Sequence, residues 1–167
     1  MESLDTRKLR PLLRLFRLTS AHFKNELDGK KVFRFRVKKE VSVGIDVPTE
    51  EPKVKKGRKS SKSDTTKSHE DLPKDIDVVK GFVEITLTAH FQDSDDNPLE
   101  NVVATASYYG HFDFNKEAQT SDIQKAIEDE AYQYLFVAQA FPLATRHFKD
   151  QLFQMGLTNN ALPLGIT

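Results

Sequence analysis

Between Val79 and Thr167 two alternating segments feed a long helical segment, and that order constrains the fold more than any other feature of the chain. Val83, Ile85, Leu87, Ala89 and Phe91 share one parity, while Glu84, Thr86, Thr88, His90 and Gln92 share the other. A period of two is that of a strand with one apolar and one wet face. After Asp93-Ser94-Asp95-Asp96-Asn97-Pro98, a run of turn formers, Val102, Ala104, Ala106, Tyr108, Phe112 and Phe114 repeat the pattern. The spacing predicts an antiparallel hairpin.

Ser121-Asp122-Ile123-Gln124 then reads as a capping box, with the serine oxygen taking a free amide and the glutamine reaching back. From there Ile123, Ile127, Ala131, Tyr134, Leu135, Ala138, Phe141, Thr145, Phe148, Leu152 and Met155 form one helical stripe. Pro142 lies inside this helix and Gly156 supplies its stop. Glu128-Asp129-Glu130 falls in its first turns, where acids complement the helix dipole.

In the first half, Phe33, Phe35, Val37, Val41, Val43 and Ile45 alternate with Arg34, Arg36, Lys38, Glu40 and Ser42, another strand with one wet face. Residues 12–23 fit two patterns. Leu9, Leu12, Leu13 and Phe16 suit a helix, whereas Leu13, Leu15, Arg17, Thr19, Ala21 and Phe23 suit an imperfect strand. Residues 48–77 break every period: prolines, glycine and serines interleave with lysines and glutamates, without an aromatic. Such a segment cannot bury enough apolar surface to offset its chain entropy, so a disordered loop inserted within a single domain of residues 1–167 is expected. A domain of this size buries ~68–70% of its extended-chain surface.

Composition removes several functions. With no cysteine there is no thiol nucleophile, disulfide framework or cysteine-type zinc site. His22, His69, His90, His111 and His147 show no helical metal spacing; His90 and His111 could meet across the hairpin near Asp113. No serine stands in a nucleophile elbow and the glycines form no phosphate loop, so neither an enzyme nor a cofactor is expected. The leucines near Arg7, Lys8, Arg10, Arg14 and Arg17 are interleaved with charge, which is not the core of a signal peptide, and nothing approaches the ~20 apolar residues of a membrane span. A soluble, cytoplasmic protein is expected. Lysines and arginines (25) balance aspartates and glutamates (25), against a dedicated nucleic-acid protein, although Lys53, Lys55, Lys56, Arg58, Lys59 and Lys62 form a local basic run. Twelve phenylalanines are the notable surplus, with Phe82 on the polar side of its strand and Phe136 and Phe153 off the helical stripe. More apolar surface than one small sheet and helix can cover implies partners.

The hairpin followed by a helix with Phe141-Pro142-Leu143-Ala144, Arg146 close behind, then Gly156 and Ala161-Leu162-Pro163-Leu164, resembles the SecB family of export chaperones over roughly half of the chain. The resemblance implies an α+β fold in which four antiparallel strands, near 12–24, 31–46, 79–92 and 100–114, precede a long Pro-kinked helix. It also implies a homotetramer whose grooves between sheet and helix hold unfolded polypeptide. The groove residues it points to are Phe16, Leu18, Phe23, Phe33, Phe35, Phe82, Phe136 and Leu162, with Phe141, Pro142, Phe148 and Leu152 in the helix and oligomer core. Export chaperones of this family are acidic and carry a further helix and tail that engage the SecA motor. This chain is neutral, closes at Gly165-Ile166-Thr167 and exposes Arg34, Arg36 and Lys38, so SecA coupling is not expected. The pattern looks more like the divergent SecB-like chaperones of toxin-antitoxin-chaperone modules, phage-defence systems among them, which protect an aggregation-prone antitoxin. The alternatives are a general export chaperone and a nucleic-acid or regulatory module using the basic N-terminus and loop.

Overall fold

Strands β1 (Leu12–Asn25), β2 (Arg34–Asp46), β3 (Lys80–Gln92) and β4 (Val102–Asp113) pair into one antiparallel sheet in the order β1-β4-β3-β2, followed by helices α1 (Thr120–Ala126) and α2 (Glu130–Gln154). The computed structural model describes residues 8–26, 34–47 and 79–157; the expected loop at 48–77, Phe33 and Leu162 lie outside them. The expected four-stranded α+β architecture is the one observed.

The two central strands follow directly from their parity. β3 and β4 pair without a shift from Lys80↔Asp113 to Ala89↔Ala104, which puts both apolar sets on one face. Val83, Ile85, Leu87, Ala104, Ala106 and Phe112 are essentially sealed from solvent there. The turn between them is built on Asp93, whose carboxylate accepts the amides of Asp95 and Asn97 at 2.9 Å each, and Asp96 takes the left-handed conformation with φ of 63°.

β1 explains its own ambiguity. It pairs with β4 along its whole length but slips register between Leu13 and Leu15 and again between Leu18 and Ser20. Each bulge inserts one residue and flips the following parity. The helix-facing set is therefore Leu13, then Phe16 and Leu18, then Ala21 and Phe23, opposite the inward residues Phe112, Gly110, Tyr108, Ala106 and Ala104. Neither a strict period of two nor a helical period fits that set.

The helical region differs from expectation at its start. Gln119 precedes the first turn of α1 without a side-chain cap, and its carbonyl receives the amides of Asp122 and Ile123. Ser121 is thus already helical, and the capping box does not form. The chain then breaks after α1, and Asp129 caps α2 through its carboxylate and the Ala131 amide at 2.9 Å. The acids at 128–130 mark a boundary between two helices. This break resets the helical phase, so that Tyr132, Phe136, Ala140, Ala144, Phe148 and Leu152 face the sheet at intervals of four, with Val137, Phe141 and Thr145 beside them. Ala131, Tyr134, Leu135 and Ala138, expected inward, are exposed; from Phe141 onward the expected stripe and the observed one coincide. Pro142 sits inside α2, exposed, and the Thr145 hydroxyl donates to the Phe141 carbonyl at 3.0 Å. Gly156 ends the helix at φ of 77°, with Gly156 and Leu157 amides donating back to Phe153 and Leu152, a Schellman closure.

The start of α2 is tied to the N-terminal segment, where the Tyr132 hydroxyl donates to the carbonyl of buried Leu9. Burial pushes the Tyr132 phenol up to about 12. An unfolded tyrosine releases its proton near ~10. This contribution to stability is therefore complete below pH ~10 and lost as the pH rises through about 12. The ΔG from urea unfolding is expected to fall between pH ~9 and ~12, with Tyr132 contributing about 1–2 kcal/mol and Tyr108, pushed up by the same cause, the rest, so that Tyr132→Phe is expected to lessen that decline.

A partly covered sheet face as candidate binding surface

A single helix cannot cover a four-stranded sheet. Neighbouring strands lie ~4.8 Å apart, so the sheet spans about 15 Å between its edge strands, against a helix of ~10 Å diameter. α2 touches all four strands, but only β3 and β4 are sealed beneath it. A strip of each edge strand stays half-covered on the same face.

On β1 the strip has an aromatic floor. Phe16 stacks on Tyr108 with centroids 5.6 Å apart and planes within 9°, and Phe23 packs on Phe148 at 5.7 Å. Leu18, opposite Tyr108, is 42% exposed. The Tyr108 hydroxyl forms a 3.0 Å hydrogen bond with His147 Nδ1, and burial pushes that phenol up, so it stays protonated and keeps its hydrogen bond. At the start of the strand the Gln139 side chain closes the edge: its Oε1 accepts from the Leu13 amide at 3.2 Å and its Nε2 donates to the Pro11 carbonyl at 3.0 Å.

On β2 the strip comprises Phe35, Val37, Lys39, Val41, Val43 and Ile45, all on the helix side by their pairing with inward residues of β3. Phe35 packs against Phe91 at 5.5 Å and the Lys39 ammonium lies 5.5 Å from the Phe141 ring centre. The solvent-facing side of α2 adds Tyr134, Leu135, Leu143 and Phe153, the last 69% exposed.

Of the residues expected in a groove, Phe16, Leu18, Phe23 and Phe35 are thus gathered on one face of the sheet, the first three in the β1 strip and Phe35 in the β2 strip. Phe136 is not available to a ligand. It is fully buried, with Phe112, Phe114 and Tyr132 around it at 4.8–6.1 Å, because the break before α2 turned it inward. Phe82 lies on the opposite face of the sheet, where it stacks on Tyr109 at 6.1 Å over Gly44, with the Arg17 guanidinium 5.5 Å from the Tyr109 ring. It shares no groove with the others. Phe141, Phe148 and Leu152 are core residues, and Pro142 alone of that set faces solvent.

His147 and Lys39, both half-buried, join the surface although no sequence pattern singled them out as contact residues, and buried Tyr108 lies beneath it. Tyr108 and His147 are 39 positions apart, and no local spacing links them. His90 and His111 do not meet: His111 pairs with Phe82, far along β3 from His90, which pairs with Arg36. Among the described residues no group of three or more metal-ligating side chains comes together, and no helix is long and apolar enough to cross a membrane.

No family model matches the sequence, and no curated protein matches it either. Among solved structures the chain is similar to the Mycobacterium tuberculosis Rv1957 SecB-like chaperone, determined in complex with a ChAD peptide from the Rv1956 HigA1 antitoxin. The two are 13% identical and superpose with a TM-score of 0.55 over 92% of this chain and 89% of that one. At that identity the likeness is one of architecture: a four-stranded antiparallel sheet under a long C-terminal helix is a SecB-like fold.

Proposed function

We propose that this chain is a SecB-like holdase chaperone that binds unfolded or aggregation-prone polypeptide in the cytoplasm, with an antitoxin of a toxin-antitoxin-chaperone module, of the phage-defence kind among others, as its client. The observation that carries this reading is the pair of half-covered apolar strips flanking α2, with Phe16 and Phe23 in one and Phe35 in the other. Such strips bind without reading sequence, because apolar burial is non-directional. The antitoxin peptide held by the mycobacterial neighbour supports the choice of client.

A client segment that removes about 400 Å² of apolar surface from water gains roughly 10 kcal/mol gross, much of it offset by the ordering of the client. Several weak segments engaged together give useful affinity, and a homotetramer supplies that multivalency. The outward apolar residues of α2 are the surface we assign to contacts between copies.

The test is light scattering of an aggregating client, the cognate antitoxin or a chemically unfolded model protein, titrated with the chaperone. Suppression at near-stoichiometric amounts is expected, from a particle of four chains and not one of 19.1 kDa. Failure to suppress aggregation of any client, combined with retardation of DNA or RNA in a gel, would overturn the reading in favour of nucleic-acid binding.

A further inference from the structure

The two edges of the sheet are built differently. β1 is twice bulged, begins after Pro11 and has its first free amide occupied by Gln139. β2 runs from Arg34 to Asp46 in one-to-one register with β3, with no bulge and no proline, and no strand lies on its other side among the described residues. A straight edge of this kind offers a row of backbone groups to an added strand.

The two faces of β2 carry opposite chemistry. Toward α2 lie Phe35, Val37, Val41, Val43 and Ile45, none of them fully covered, with Lys39 between them against the Phe141 ring. Away from α2 lie Arg34, Arg36 and Lys38. Lys38 is held by Glu40 at 2.6 Å, whereas Arg34 and Arg36 have no carboxylate within ion-pair distance among the described residues; their cross-strand neighbours are Gln92 and His90. Two guanidinium groups, two residues apart on one strand, stand about 7 Å apart along it, the repeat of side chains on one face of any strand laid beside it.

We infer that the outer edge of β2 takes an extended polypeptide with acidic residues at alternate positions and apolar residues between them. The acids face Arg34 and Arg36 while the apolar side chains extend the strip of Phe35 and Val37. This rests on the polypeptide-binding reading above and adds to it a position and a charge preference. A second copy of β2 is the poorer occupant, since it brings the same basic row and only Glu40, already engaged, and Asp46 to meet it.

Three labelled twelve-residue peptides test the inference by fluorescence anisotropy with the full chain: one alternating aspartate with valine and phenylalanine, one with lysine in place of aspartate, and one with the acidic composition scrambled into blocks. The alternating acidic peptide is expected to bind about tenfold more tightly than the lysine peptide at low salt, the preference shrinking as salt rises. R34E/R36E is expected to reverse the order, and R34Q/R36Q to abolish it. Both arginines are exposed, so these changes leave the core intact. Hydrogen exchange is expected to slow in residues 34–46 when the acidic peptide is added. Equal binding of the acidic and lysine peptides, an unchanged order in R34E/R36E, slowed exchange on another element, or a dimer formed through β2 would each overturn the inference while aggregation suppression stands. Loss of suppression for every client would overturn the chaperone reading itself.

Discussion

Phe136→Ala is expected to destabilise the protein by about 3–5 kcal/mol, the range for removing a phenyl ring from a filled core. The ring is fully buried, 4.8 Å from Phe112, and touches the backbone of β3 so closely that a Cβ on Gly81 would come within 2.5 Å of it. Phe112, Phe114 and Tyr132 all pack on this ring, so its removal takes a contact from each of them and leaves a cavity between them. For a chain of this length the loss corresponds to a fall in Tm of roughly 6–20 °C, against a total stability of about 5–15 kcal/mol. Thermal unfolding followed by circular dichroism measures it. A change below about 1 kcal/mol would place the ring on a surface and restore it as a candidate client contact.

Phe16→Ser combined with Phe35→Ser is expected to give the converse result, near-complete loss of aggregation suppression with little loss of fold. One residue lies on each side of α2, so the pair removes apolar floor from both strips at once. Each is only half-buried, and among the contacts the double change gives up are the stack of Phe16 on Tyr108 and the tilted packing of Phe35 on Phe91. Such aromatic pairs are worth about 0.5–1.5 kcal/mol beyond their buried area. The assay is client light scattering, with particle mass and melting curve recorded on the same sample. Full suppression by the double variant would move the client surface off these strips.

How far the sequence could be read depended on whether a period ran unbroken. β3 and β4 carry their alternation without a slip, and every expected inward residue from Val83 to Phe91 and from Val102 to Phe114 is buried. β1 could not be read the same way, because two single-residue bulges flip its parity and no alternation template contains them. The helix misled for a related reason. A stripe extended backward through Ile127 and Ala131 assumed continuity across Glu128-Asp129, where the aspartate instead caps a new helix. That one assumption put Tyr134 and Leu135 inside and Phe136 outside, the reverse of what packs. The candidate surface was legible only in part: Phe16, Leu18, Phe23 and Phe35 were identified, but the contact of Tyr108 with His147 and that of Lys39 with Phe141 join residues far apart in the chain.

Gly44 and Phe82 face each other across β2 and β3 on the side of the sheet away from α2, and the phenyl ring lies where a side chain on Gly44 would begin. The two positions therefore hold a single volume between them. A natural variant that acquires alanine or a larger residue at 44 must displace the Phe82 ring or surrender bulk at 82, and a chain with a small residue at 82 is free to fill 44. In an alignment of relatives these two columns should change together, an evolutionary signature of a steric constraint that neither position shows by itself.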